Sequence, residues 1–330
     1  MTRVFKHITM STLVLTLSLS AAPTFASFTP DNPECIAPSR PGGGWDFICR
    51  ATAVYLHRMR VINQKMKVTN MPGESGGIAF RLASSERKDD SNLLVAASNG
   101  TTSRLAQGIY ANASADDVHF LATFGAEYGV VAVSQRSSYQ SLSDLMAQVV
   151  KRPESVTWAG GSAKGGFDHI KPLMLAKAAG VKDINRLAYV GYSGGGEAVE
   201  GLLNGEADVI SGDFSEIRGF ADSGKIRVLA VLSPERLTGH KQYPTAREQG
   251  FNVIGPNWRG LYMPKGSSEE SRKFWTDAVL AMTQNERFQQ TLLKRGIEPF
   301  NQFGDEMTEF VKQNISDIRN ISKEIGVLEE

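Results

Sequence analysis

The chain has 330 residues, 41% hydrophobic and 22% charged, with a mean hydropathy of −0.22. These values fit a globular protein long enough for two domains and a large core, and exclude a disordered chain or a multi-pass membrane protein. Thirty-six Lys and Arg face 35 Asp and Glu, and without a basic block, an RNP-like aromatic run or Cys/His finger spacing, nucleic acid is excluded as a partner.

Residues 1–26 read as a secretory signal peptide. Arg3 and Lys6 open the chain, Met10 to Ala22 is mostly apolar, and Thr24-Phe25-Ala26 puts small residues at the −3 and −1 cleavage positions. The apolar run is short for a membrane span and is followed by Pro23, which makes an uncleaved anchor the weaker alternative. Cleavage near Ala26 leaves 34 basic against 35 acidic residues. No later run reaches about 18 apolar residues and no Cys sits at the cleavage site, so a soluble exported protein is expected.

Along the mature chain, strand-like runs at 35–38, 67–71, 93–97, 118–124, 130–134, 156–159, 186–190, 207–211 and 226–232 alternate with helical patterns. Helices are expected at 47–59, with Asp46 as N-cap, at 142–150, with a capping box in Ser141 and Asp144, and at 197–204, ending on Gly205. The last third is helical at 269–284, 286–294 and 304–323. This βαβ rhythm predicts an α/β protein with mainly parallel sheets in two lobes, one from 28–124 plus 248–330 and one from 125–247.

Glycine and small hydroxyl residues gather after the strands. The first three such loops are Pro41-Gly42-Gly43-Gly44-Trp45-Asp46, Pro72-Gly73-Glu74-Ser75-Gly76-Gly77 and Ser98-Asn99-Gly100-Thr101-Thr102. Three more follow: Gly160-Gly161-Ser162-Ala163-Lys164-Gly165-Gly166, Gly191-Tyr192-Ser193-Gly194-Gly195-Gly196 and Ser211-Gly212-Asp213-Phe214-Ser215. In parallel α/β sheets such loops line up at the carboxyl ends of the strands, where backbone N–H groups and helix N-termini suit small oxyanions. Turn chemistry alone accounts for some of the six.

Cys35 and Cys49 are the only cysteines. In an oxidising compartment two isolated thiols more often pair than remain free and buried, and pairing here closes a short loop around the first Gly-rich turn. The five histidines, at 7, 57, 119, 169 and 240, are scattered, so no metal site is expected, and His169 reads as a packing or surface residue. No dinucleotide or P-loop fingerprint is complete, so neither NAD nor ATP nor any other cofactor is expected. One rival remains, because Gly191-Tyr192-Ser193-Gly194-Gly195 matches the G-x-S-x-G nucleophile elbow and would make Ser193 the nucleophile of a secreted hydrolase. Its partners would be His240 and one of Asp208, Asp213 or Asp222, with no HGGG-type oxyanion loop in sight. Arg40, Lys164, Arg218 and Arg259 lie near the loops and could lend positive potential, while Trp45 and Trp258 could wall a cleft or fill a core.

Read in order, Glu34-Cys35-Ile36-Ala37-Pro38 leading into the first loop, Met71-Pro72-Gly73, Gly194-Gly195-Gly196-Glu197, Ser211-Gly212-Asp213, Gly224-Lys225-Ile226-Arg227-Val228-Leu229-Ala230-Val231, Pro244-Thr245-Ala246-Arg247-Glu248-Gln249-Gly250 and Arg259-Gly260 resemble the substrate-binding proteins of tripartite tricarboxylate transporters. The cysteine pair with the Gly-Gly-Gly-Trp-Asp loop looks most like the tricarboxylate-binding branch. The resemblance implies a type II-like periplasmic clamshell with a ligand cleft between its lobes. It implies no enzymatic activity, a monomer in the periplasm, a citrate-like di- or tricarboxylate as ligand, and permease subunits in the inner membrane as partners. Carried onto this chain, the contacts it implies are Gly43, Gly44, Trp45, Asp46, Ser75, Gly76, Ser98 and Asn99 from one lobe. From the other come Ser162, Lys164, Gly165, Gly166 and Asp213. Glu74 and the Asn99-Gly100-Thr101-Thr102 run depart from the pattern.

Overall fold

A computed structural model describes residues 28–328 apart from Ser193, so the expected leader and the serine of the elbow-like turn lie outside the described residues. The mature chain opens as the alternation predicts: β1 (Glu34–Ala37), α1 (Gly44–Arg58), β2 (Lys67–Asn70), α2 (Gly77–Arg81), β3 (Leu93–Ser98) and α3 (Asn99–Ala106). A long strand, β4 (Val118–Ser134), leads into α4 (Leu142–Lys151), β5 (Thr157–Gly160), α5 (Phe167–Ala178), β6 (Ala188–Gly191), α6 (Gly195–Asn204), β7 (Val209–Asp213), α7 (Phe214–Asp222) and β8 (Ile226–Val231). The chain returns through β9 (Pro256–Pro264) and ends in α8 (Glu269–Thr283), α9 (Glu286–Leu293) and α10 (Gly304–Glu324).

Strands β2, β1 and β3 pair in parallel and place the first three Gly-rich loops at one edge. On the other side β6, β5 and β7 do the same for the later three. The centre departs from the parallel expectation. β9 runs antiparallel to β3 and to the first part of β4, while residues 129–134 of β4 run antiparallel to β7 and β8. The two sheets are therefore joined by one shared strand, and the segments expected as separate strands at 118–124 and 130–134 are continuous. Gly125 and Gly129, which lie between those two segments, are small because neighbours crowd them: a Cβ on Gly125 would collide with Ile297 and lie 3.0 Å from the Glu298 carbonyl, and one on Gly129 would lie 2.5 Å from the Lys171 stem. The β4–β9 pairing shifts register near Phe120 and Thr123, and β4 passes from one sheet to the other between Tyr128 and Gly129.

Each lobe is an α/β sandwich around aliphatic strands, with Trp158, Trp258 and Trp275 fully buried. The capping box at Ser141 and Asp144 and the left-handed Gly205 stop of α6 form as the sequence predicts. Helix α1 begins three residues before the expected start; its N-cap is Gly43, and Asp46 occupies the first turn. The Cys35–Cys49 disulfide fastens α1 to β1. Alkylation of unfolded, non-reduced mature protein is expected to find no reactive thiol; two would disprove the bond.

Candidate functional site

The strand ends of the two lobes face each other across a cleft. Its floor is made by Glu127 on β4 and by Asn257 and Arg259 on β9. A cavity of about 330 Å³ is lined by Ser39, Gly44, Trp45, Ser98, Gly100, Ser103 and Arg104 from one side and by Ser162, Gly166, Phe167, Asp168, Asp213 and Glu216 from the other. A wider space of about 560 Å³ adjoins it, bounded by Gly42, Gly43, Phe47, Arg218, Lys294 and Arg295 among others. Gly44, Asp213, Glu216, Asn257 and Arg259 line both.

The first loop is held from behind. Gly42 takes a left-handed backbone (φ +90°) that turns the chain into α1, and its N–H donates to Asp46 Oδ2 at 2.9 Å. Asp46 also accepts from Arg50 Nε and from Asn70 Nδ2. Arg50, and after it the Gly42 amide and Asn70, hold its carboxyl at about 2 despite burial. Asp46 is thus a brace that points away from the cavity. Trp45 lies across the other loops: its indole N–H donates to Ser98 Oγ at 3.1 Å, and its ring edge abuts Gly76 and Gly100. Ser98 caps α3 by accepting from the Gly100 N–H.

Of the sequence-expected contacts, Gly43, Gly44, Trp45, Ser98, Ser162, Gly166 and Asp213 come together at the cleft. The others lie elsewhere. Ser75 offers its carbonyl to the Tyr110 hydroxyl, and Gly76 supports Trp45. Asn99 is fully buried, reaching Ser103 at 3.5 Å. Lys164 is exposed, and the Gly165 carbonyl accepts from Gln107 Nε2 of the opposite lobe at 2.6 Å. Of the two tryptophans, Trp45 walls the cleft and Trp258 is core.

His169 braces the facing loop, accepting the Gly165 N–H on Nδ1 at 3.0 Å. Burial, reinforced by the Lys164 cation, pushes it down to about 4. His119 is likewise pushed to about 4 by burial, with Lys265 and Arg272 nearby. An imidazole held below its unfolded value of about 6.5 contributes stability above that value and loses it as pH falls toward 4. His119→Gln is therefore expected to flatten the fall of melting temperature between about pH 6.5 and 4; an unchanged slope would refute this role.

Around the expected Asp213 and Arg259, the site carries Lys171, Asn257, Glu127 and Glu216, which were not expected there from the sequence. Lys171 is fully buried, with its ammonium 2.8 Å from Asp168 and 3.0 Å from Asp213. Asp213 also accepts from Asn257 Nδ2 at 2.5 Å. Burial alone would raise the Asp213 carboxyl, but Lys171, Asn257 and Arg259 outweigh it and hold it below the usual range. Arg259 donates to Glu127 at 2.6 Å and to Asn257 at 3.1 Å, while its Nε, buried beside Gly44, has no partner among the described residues. The buried Ser39 hydroxyl is likewise unpartnered among the described residues. The i, i+4 spacing of Asp46 and Arg50 was the signal that the acid is braced; nothing local marks Asn257 or Glu216.

Residues 51–327 match the family model described as the tripartite tricarboxylate transporter family receptor. The chain belongs to this family. It is 26% identical over 316 residues to the protein BugT of Bordetella pertussis, with 93% of each chain covered. A TctC solute-binding protein from Polaromonas, solved without ligand, superposes with a TM-score of 0.75 at 20% identity, covering 88% of this chain and 96% of that one. A Rhodopseudomonas palustris structure with adipate gives 0.71 at 22% identity, covering 89% and 97%. The family consists of periplasmic solute-binding receptors and not enzymes, which corrects the hydrolase alternative. The partners that alternative needs are also engaged elsewhere: Asp208 with the Thr157 amide, Asp213 with Lys171, Asp222 with Arg218 and His240 against Phe214 and Tyr243. No helix among the described residues is long and apolar enough to cross a membrane.

Proposed function

We propose that this protein is a periplasmic receptor that loses a signal peptide near Ala26, works as a monomer and captures a small di- or tricarboxylate of citrate-like size between its lobes. It then hands the ligand to the membrane subunits of a tripartite tricarboxylate transporter. The lobes comprise 28–124 plus 248–330 and 125–247, hinged where β4 passes from one sheet to the other. The contacts are Gly43, Gly44, Trp45, Ser98, Ser162, Gly166 and Asp213, joined by Ser39 and Arg259.

The observation that carries this reading is the orphaned Arg259 Nε beside Gly44, with the unpartnered Ser39 hydroxyl at the same wall. A buried donor without an acceptor is costly, by about 1–3 kcal/mol or more when charged, and a ligand carboxylate removes that cost. Adipate in the Rhodopseudomonas palustris relative supports a carboxylate occupant.

A thermal-shift screen of organic acids on the mature protein tests the proposal, because a ligand that binds only the native state raises its melting temperature. If sugars or metal ions stabilise it and no carboxylate does, the reading fails. In the same assay Gly44→Val is expected to abolish the carboxylate shift while the protein stays folded. A Cβ there meets the Arg259 guanidinium at 3.4 Å, and the two further methyl groups of valine fill the space where the ligand approaches the backbone.

A further inference from the structure

The two walls of the smaller cavity differ in charge. One side offers the Arg104 guanidinium with the hydroxyls of Ser39, Ser98 and Ser103, a surface for carboxylates. The other side is acidic. Asp168 and Asp213 share the single cation Lys171, and Arg259 on the floor is already paired with Glu127. Glu216, in the first turn of α7, then adds a carboxyl that has no cation within ion-pair distance among the described residues. Among the described residues its one hydrogen bond is from the Asp213 N–H, at 3.4 Å. It packs so closely on Gly195, where α6 starts, that any side chain there would collide with its carboxyl group. Glu216 lines both spaces of the cleft, where partial burial and the neighbouring Asp213 and Asp168 carboxylates raise it to about 7.

An unsubstituted dicarboxylate can satisfy the first wall but offers the second only its own charge or an aliphatic chain. A ligand that also carries a hydroxyl or ammonium group on that chain places a donor against acceptors that otherwise face water or each other. We propose that Glu216, with Asp168 beside it, is the specificity-determining group of the cleft, selecting carboxylates that bear a hydrogen-bond donor on their carbon chain over unsubstituted dicarboxylates. This rests on the carboxylate-receptor reading above and narrows it. An ammonium group gains most, because the acidic wall then carries its unbalanced charge toward a cation; a third carboxylate gains least.

The test is calorimetric titration of ligand-free mature protein with two matched series, succinate, malate and aspartate, then glutarate, 2-hydroxyglutarate and glutamate. At about pH 8 the donor-bearing members are expected to bind at least about tenfold more tightly than the plain diacid of the same length, one donor being worth roughly 1–2 kcal/mol. Glu216→Gln is expected to shrink the ratio for the amino acid severalfold and to strengthen binding of the plain diacid. A measurement on the unaltered protein makes the outcome independent of that variant's folding. The charged groups around Glu216 are Asp168 and Lys171 on α5, Asp213 on β7, Glu127 on β4, Arg259 on β9 and Arg218 on its own helix; Gly195 of α6 adds none. Protonating Glu216 between about pH 8 and 6 lowers the negative charge of the wall, so plain diacids bind more tightly and the amino acid less tightly. Equal affinity across each series, or parallel pH trends for all members, overturns the proposal and leaves the receptor reading intact. Binding of none of the six, alongside a negative screen of other carboxylates, overturns both.

Discussion

Replacing Lys171 with Met is expected to lower stability by about 3–5 kcal/mol, the cost found when one partner of a buried ion pair is removed and the other is stranded. For a chain of this size the melting temperature should fall on the order of 10 °C. The ammonium is fully buried between Asp168 and Asp213, which are themselves mostly enclosed. Burial alone would lower its proton affinity, but the two carboxylates outweigh that and raise it, so the cation persists across the accessible pH range. Methionine fills the channel but leaves Asp168 without its cation and Asp213 with the Asn257 amide, Arg259 being further off. The pH dependence is diagnostic. Asp213 titrates below its unfolded value in the native protein, so its contribution is present at neutral pH and lost as pH falls through the native value. Without Lys171 that contribution disappears or changes sign, so the gap between the two proteins should be widest near pH 7 and close below about pH 4. A denaturant series showing less than about 1 kcal/mol of difference, or a gap that stays constant as pH falls from 7 to about 2, would sink the idea that Lys171 is the electrostatic pin of the lobe facing the first loop.

What was legible in the sequence follows from how local each feature is. The alternation of strands and helices, the capping box of α4 and the Gly205 stop are written within a few residues, and they form as expected. The loops came through for the same reason: a parallel strand followed by a helix puts its loop at one edge whatever the partner strand is. Gly44, Ser98 and Ser162 therefore reach the cleft. Which residue of a loop points inward is a tertiary matter. Asp46 turns back to Arg50, Asn99 is buried in the first turn of α3, and Lys164 is exposed to solvent. The floor was the least legible part. β9 returns from far along the chain and pairs antiparallel with β3 and β4, so Asn257 meets Asp213 and Arg259 meets Glu127 across long sequence separations. The mixed Pro256–Pro264 run carries no period that distinguishes it from a loop, and the glycines of β4 hid a continuous strand because crowding, and no turn, requires them.

Arg259→Ala should weaken the tightest-binding carboxylate about a hundredfold, or roughly 2.7 kcal/mol, through loss of charge-assisted donation from the guanidinium and of the cation on the cleft floor. The guanidinium is held as a rigid fork, one nitrogen on Glu127 and another on Asn257, and its Nε has no partner among the described residues. Arg259→Lys is expected to recover only a small part of the affinity, because an ammonium can answer Glu127 or reach the cavity but cannot do both in a fixed plane. The alanine variant will also lose stability, since Glu127 and Arg259 are both largely enclosed and the carboxylate is left with Ser215 alone. A second substitution separates the two roles. Glu127→Gln in the Arg259→Ala background removes the stranded charge and should restore most of the melting temperature. It should restore none of the binding, because the ligand's own partner is still missing. If affinity returned together with stability, Arg259 would be a strut of the floor, and the carboxylate would be held by loop amides and hydroxyls alone.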